Sequence, residues 1–310
     1  MKYLIIQLSD SSASLCNYNP SQNTTLISLD KLEEGLSWGV KNGLNIQILF
    51  PDFVLPQSYL SLIDKYEHIK IGSPKPPIDK DIFIIEDINE LSSIKNVDVP
   101  VVLHLTISQF LDKYINIAES LSKFCRLNIC FRDTENFTDA LIEKYENALT
   151  FISDKIFEHF VEGNPIQFNL LTDRTMLTEM NNCNAGVDSI TLAPDGKFYI
   201  CPAFYLSSLS CIGSPEEDIH IPNSHLYQLS FAPICRACDA YHCKRCIYLN
   251  LFFTNEVNTP GHKQCIMSHV ERKISRKLLN RIREFGDYAP GVSIPQLNYI
   301  DPFDKIINNA

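Results

Sequence analysis

The chain has 310 residues, 45% of them hydrophobic, and a formal net charge of −10. That length and apolar content suffice for a large core and about two domains, and the acidic balance excludes a broad electrostatic grip on nucleic acid or an anionic membrane. An odd total of 11 cysteines suits a reducing compartment, where clustered thiols bind metal more readily than they form disulfides.

The opening KYLIIQL (2–8) predicts a first strand, because the apolar run breaks at Ser9 and Asp10 with no cleavage site behind it. No stretch reaches the roughly 18 to 20 apolar residues of a membrane-spanning helix, so a soluble cytoplasmic protein is expected. SLDKLEEGLSWGVKNGL (28–44) predicts a helix with Ser28 as N-cap, an apolar face of Leu29, Leu32, Leu36 and Val40, and Gly43 as its stop. Further along come a strand at 45–52, a helix at 57–66, strands at 81–87 and 99–105, a helix at 107–125 and a strand at 126–132. A long helix at 137–161 and a strand at 166–171 follow. Strands apolar on both faces imply a parallel sheet covered by helices. The expected fold class is α/β, a partial (β/α) barrel.

From Asn181 the texture changes to short segments, turns and cysteines. SITLAPDGKFYIC (189–201) predicts a hairpin around Pro194-Asp195-Gly196. HVERKISRKLLNRIREFG (269–286) predicts a helix with Val270, Ile274, Leu278 and Ile282 on one face. Arg272, Lys273, Arg276, Lys277, Arg281 and Arg283 cover the rest. Three domains are expected: 1–180 α/β, 181–267 cysteine-rich, and 268–310 a basic helix and tail. Arg272, Arg276 and Arg283 are the candidate contacts to an acidic partner, since local charge steers association.

The cysteines form one long pattern. Cys183 is followed by twelve residues, Gly196, four residues and Cys201; then come Cys235-x2-Cys238-x4-Cys243-x2-Cys246 and, last, Cys265. CxxC pairs also make zinc knuckles, but a zinc ribbon separates its pairs by roughly 15 to 20 residues, and the gap here is four. The pattern closely resembles the SPASM domain, the auxiliary iron-sulfur module of radical SAM enzymes that modify peptides, with x4 and x2 where that family usually has x5 and x3. The resemblance implies one or two 4Fe-4S clusters. One would be held by Cys235, Cys238, Cys243 and Cys265, the other by Cys183, Cys201 and Cys246 with Cys211 as the nearest fourth ligand. Zinc is the alternative metal.

The same resemblance exposes a loss. A radical SAM domain carries CxxxCxxC after its first strand, whereas SDSSASLCNYNPSQNTT holds Cys16 alone, and Phe50-Pro51-Asp52 stands where that family has GGEP. One cysteine cannot replace three, so independent SAM cleavage is not expected. No His or Lys adjoins Cys16 to lower its pKa, and it reads as a cysteine without a role. Cys125 and Cys130 read as core residues, His242 as a solvent-facing loop histidine, and His104 as a satisfied core histidine.

Over KYLIIQLSDSSASLCNY, ILFPDFVLPQSY and the cysteine-rich end, the chain resembles the CXXX repeat peptide maturases. That resemblance implies work on a ribosomally made Cys-x-x-x repeat precursor peptide beside a neighbouring radical SAM/SPASM enzyme. Three roles remain open: an accessory protein that binds peptide or enzyme, a redox or thioether-forming enzyme using its own clusters, and a structural zinc-binding interaction protein. The first agrees best with the missing radical source.

Overall fold

The computed structural model describes residues 1–16, 18, 21, 23–75, 80–94 and 98–294. Its elements in chain order begin β1 (Tyr3–Gln7), α1 (Leu29–Lys41), β2 (Asn45–Leu49), α2 (Gln57–Ile63), β3 (His68–Gly72) and β4 (Ile82–Ile85). They continue with α3 (Glu90–Ser93), β5 (Val101–Leu105), α4 (Ile107–Ser120), β6 (Arg126–Phe131), α5 (Ile142–Val161), β7 (Gln167–Phe168) and α6 (Asp173–Met176). The last are β8 (Ser189–Leu192), β9 (Phe198–Tyr199), α7 (Pro202–Leu206), α8 (Ile247–Thr254) and α9 (His262–Arg283).

The chain divides into two compact units. The first comprises 1–86, 99–104 and 184–228; the second comprises 87–98, 105–183 and 229–310. They interleave along the sequence. The division expected at 180 and 267 followed cysteine content and stands as a proposal about function.

In the first unit the strands lie in the order β5-β4-β3-β2-β1-β8-β9. All pairs are parallel except β8 with β9. Leu4 and Ile6 of β1 register with Ile46 and Ile48 of β2 and with Ile190 and Leu192 of β8, and all six are buried. Such strands are apolar because helices cover them. Helix α1 starts at Ser28, whose hydroxyl accepts from Lys31 N at 3.4 Å. It ends where Gly43 takes φ +65°, as expected. Its buried face is Leu32, Gly35, Leu36 and Gly39, while Val40, placed on that face from sequence, is 57% exposed. The glycines fix this rotation: a Cβ on Gly35 would sit 2.1 Å from Leu192 Cδ2.

In the second unit β6 pairs in parallel with β7. Helix α4 begins with a full capping box between Thr106 and Gln109. Helix α9 lies along α5, and Ser275 Oγ donates to the Leu171 carbonyl at 2.6 Å. A buried aromatic cluster of Phe110, Phe131, Phe137 and Tyr145 fills this core.

Candidate cluster site

The cysteine segment of the second unit is built from short turns with little regular structure. Cys235 opens a 3-10 turn ending at Ala237, Cys246 caps α8, and Cys265 lies in the first turns of α9. This folding brings Cys235, Cys238, Cys243 and Cys265 onto one cavity, lined also by Met180, Ile234, Ala240 and Arg245. Cys235 and Cys238 are buried, Cys243 and Cys265 half-buried.

Backbone N–H groups point at the sulfurs. Ala240 N donates to Cys238 Sγ at 3.4 Å, and Arg245 N donates to Cys243 in the same i+2 relation. Burial pushes the Cys243 thiol up, opposed by the Ser268 hydroxyl and the Arg245 amide, while Glu271 adds to the rise. Hydrogen bonds to sulfur favour the thiolate, the form that binds metal. Arg245 turns the chain with φ +37°, a left-handed conformation that costs a side-chain-bearing residue about 1–2 kcal/mol. The returning segment is pinned by Asn181 N to Tyr241 O and Cys183 N to Lys244 O, both 2.8 Å. Cys183 therefore lies against the loop that carries Cys243 and Cys246.

Among the described residues no three His, Cys, Asp or Glu side chains are placed to hold a metal ion. Tetrahedral zinc, with Zn–S of about 2.3 Å, needs its sulfurs about 3.8 Å apart, whereas a cluster takes one thiolate per iron around a wider core; either would draw on the same four cysteines.

Cys201 and Cys211 belong to the first unit. Cys201 ends the β8–β9 hairpin as N-cap of α7, ahead of Pro202, and Gly196 turns that hairpin at φ +82°. A third arm follows: Phe198 N bonds Gly213 O and Ile212 N bonds Phe198 O, both at 2.8 Å. This anchors exposed Cys211 beside the hairpin.

The loop after β1 is filled by hydroxyl groups. Ser9, Ser12 and Ser14 are buried, Ser9 N donates to Ser12 Oγ at 3.1 Å, and Asp10 accepts from the Tyr205 hydroxyl at 2.6 Å. Cys16 is half-buried at its end. At the end of β2, Phe50 is buried beneath Lys80 and Asp52 pairs with Lys75 at 3.2 Å.

The chain matches no protein-family profile and no curated protein. Solved structures do match. Histidine-tagged anSMEcpe with bound AdoMet aligns at TM-score 0.62 and 13% identity over 91% of this chain and 96% of that one. Native anSMEcpe with bound AdoMet and Kp18Cys peptide aligns at the same TM-score, identity and coverage of this chain, over 99% of its own length. The two share a fold. Identity this low establishes the fold alone, and that shared fold bears out the α/β partial-barrel class expected from the sequence.

Several expectations need correction. His242 is not solvent-facing: its side chain is 1% exposed, and Nε2 lies 3.0 Å from Glu271 Oε2 and 3.1 Å from Ser268 O. Glu271 in turn accepts from Tyr145 at 2.5 Å, and burial, then the Glu271 charge, pushes that phenol well up. Cys125 is exposed and Cys130 half-buried, so neither is a core residue. His104 is buried, but neither ring nitrogen is hydrogen-bonded; Glu86 lies 3.6 Å from Nδ1. On α9, Arg272 and Arg276 are bound to Asp239 at 2.8 and 2.7 Å. Lys273 pairs with Glu146, and Arg281 with Asp154. Arg283 is exposed. Much of the helix's positive charge is thus matched inside the second unit. Sequence reasoning missed Asp239, an isolated charge in a loop, and Arg174, in the four-residue helix α6, because neither carries a periodic signal.

Proposed function

We propose that the chain is an accessory protein in the maturation of a ribosomally synthesised Cys-x-x-x repeat peptide, binding auxiliary 4Fe-4S clusters together with the precursor peptide or a partner radical SAM enzyme. The observation that carries this reading is the convergence of Cys235, Cys238, Cys243 and Cys265 on one cavity, in a chain whose β1 loop offers hydroxyls in place of three thiols. These four cysteines, all in the second unit, hold one cluster. A bound cluster with four thiolate ligands would supply one-electron transfer. The protein's own part is to supply the thiolates and to hold those of Cys238 and Cys243 with amide hydrogen bonds.

The fold shared with anSMEcpe, recorded with both AdoMet and a peptide, supports a peptide partner for this chain. Peptide or enzyme docks through the exposed Arg283 end of α9, with Arg272 and Arg276 behind it. The test is anaerobic purification of the chain alone and with the neighbouring radical SAM enzyme, each incubated with precursor peptide and SAM. The peptide is modified only when both proteins are present. Modification by this chain alone establishes an enzyme instead, and stoichiometric zinc without sulfide establishes a zinc-binding interaction protein.

A further inference from the structure

Arg245 is the largest fully buried side chain of the described residues, with 1% of its surface exposed. It lines the cavity shared by Cys235, Cys238, Cys243 and Cys265. Its guanidinium donates to Asn182 Oδ1 at 3.2 Å, next to Cys183, whose backbone is pinned to Lys244. The neighbouring cations of the loop, Arg236 and Lys244, are exposed, so solvent screens them.

Burying a guanidinium costs several kcal/mol unless an anion faces it. Cys235, Cys183 and Cys243 are near enough to act on Arg245 as anions when they are thiolates. Neutral thiols give no such compensation, whereas metal-bound thiolates do. A four-thiolate cluster is a dianion when oxidised and a trianion when reduced. A fixed positive charge in its wall favours both, and the reduced state more.

We propose that Arg245 is the charge-compensating residue of the thiolate centre: its guanidinium, held in the four-cysteine cavity, stabilises the loaded site and raises the reduction potential of the cluster there. The inference rests on the iron-sulfur reading above. At the effective dielectric constant of about 20 that suits protein sites, one unit charge in the cavity wall changes a one-electron reduction equilibrium by more than an order of magnitude. Even with solvent relaxation, a shift of about tenfold, or about 59 mV for a one-electron couple, is expected.

The experiment compares full-length wild type, Arg245→Lys and Arg245→Met, reconstituted anaerobically with iron and sulfide. Iron and sulfide content is measured first, followed by a dithionite titration read by electron paramagnetic resonance. The lysine variant is expected to load and to hold its reduction equilibrium within tenfold of wild type. The methionine variant is expected either to load with that equilibrium shifted against reduction by tenfold or more, or to fail to load. A methionine variant that loads and titrates within tenfold of wild type overturns the proposal. So does a lysine variant as impaired as the methionine one, since geometry rather than charge would then matter. If wild type itself takes up no iron and sulfide, the cluster reading fails, an outcome visible before any variant is compared.

Discussion

Asp239 sits between Cys238 and the remainder of the cysteine loop and accepts from three arginines. Arg174 reaches Oδ2 at 2.9 Å, Arg272 Oδ1 at 2.8 Å and Arg276 Oδ2 at 2.7 Å. Burial alone would raise this carboxyl, but Arg272 and Arg174 outweigh it and hold it below its usual range. Asp239→Asn leaves the Arg174 side chain, 4% exposed, without its counter-ion, and breaking a buried pair in this way costs about 3–5 kcal/mol. The expected loss is about 3 kcal/mol, because Arg174 still donates to the Asp239 backbone carbonyl at 3.0 Å. Arg276 is 55% exposed, so Arg276→Ala costs under about 1 kcal/mol. Since the folded carboxyl titrates below its unfolded value, its contribution is complete above a pH of about 4 and vanishes as pH falls through the folded pKa. Urea unfolding of wild type and Asp239→Asn at pH 7 and at stepwise lower pH measures this. A difference under about 0.5 kcal/mol at pH 7, or one that grows on acidification, refutes the reasoning.

Further outcomes follow from the same structure. Cys238→Ser removes one cluster's iron while Cys16→Ser leaves iron content unchanged; equal loss in both makes Cys16 a ligand. With SAM and reductant the chain alone forms no 5′-deoxyadenosine above background by chromatography, and turnover refutes the division of labour proposed. Arg283→Glu slows association with the peptide or partner enzyme and flattens its salt dependence without changing the fold, as stopped-flow binding and circular dichroism read out; unchanged rates at low ionic strength remove this face from docking. Gly213→Ala lowers stability by about 1–3 kcal/mol in thermal unfolding, because φ is +138° and a Cβ would lie 2.8 Å from Asp218 O.

The strands and helices with a clear period were legible in the sequence. β1, α1 and the β8–β9 hairpin stand where alternation, capping and Asp-Gly placed them. β3 was missed although HIKIG alternates, since only two apolar residues, Ile69 and Ile71, fall in it before Gly72. α8 escaped because IYLNLFFT is apolar almost all round and lacks a helical stripe. α9 begins at His262, ahead of the expected 269: Gly261 is its N-cap, and Cys265, expected as a cluster ligand outside any helix, lies inside it. Within the site, the family resemblance, not spacing by itself, grouped the four cysteines that line the cavity. It could not show Arg245 among them, or that Asp239 anchors the arginines of α9. Both depend on where a loop without periodicity folds back, which only long-range contacts decide.

The measurement closest to the central claim is iron, acid-labile sulfide and zinc in anaerobically purified protein, wild type against the combined Ser variant of Cys235, Cys238, Cys243 and Cys265. The account predicts about four to eight irons per chain with matching sulfide in wild type, and about four fewer of each in the variant. Stoichiometric zinc with no sulfide in wild type, or undiminished iron in the variant, would contradict it.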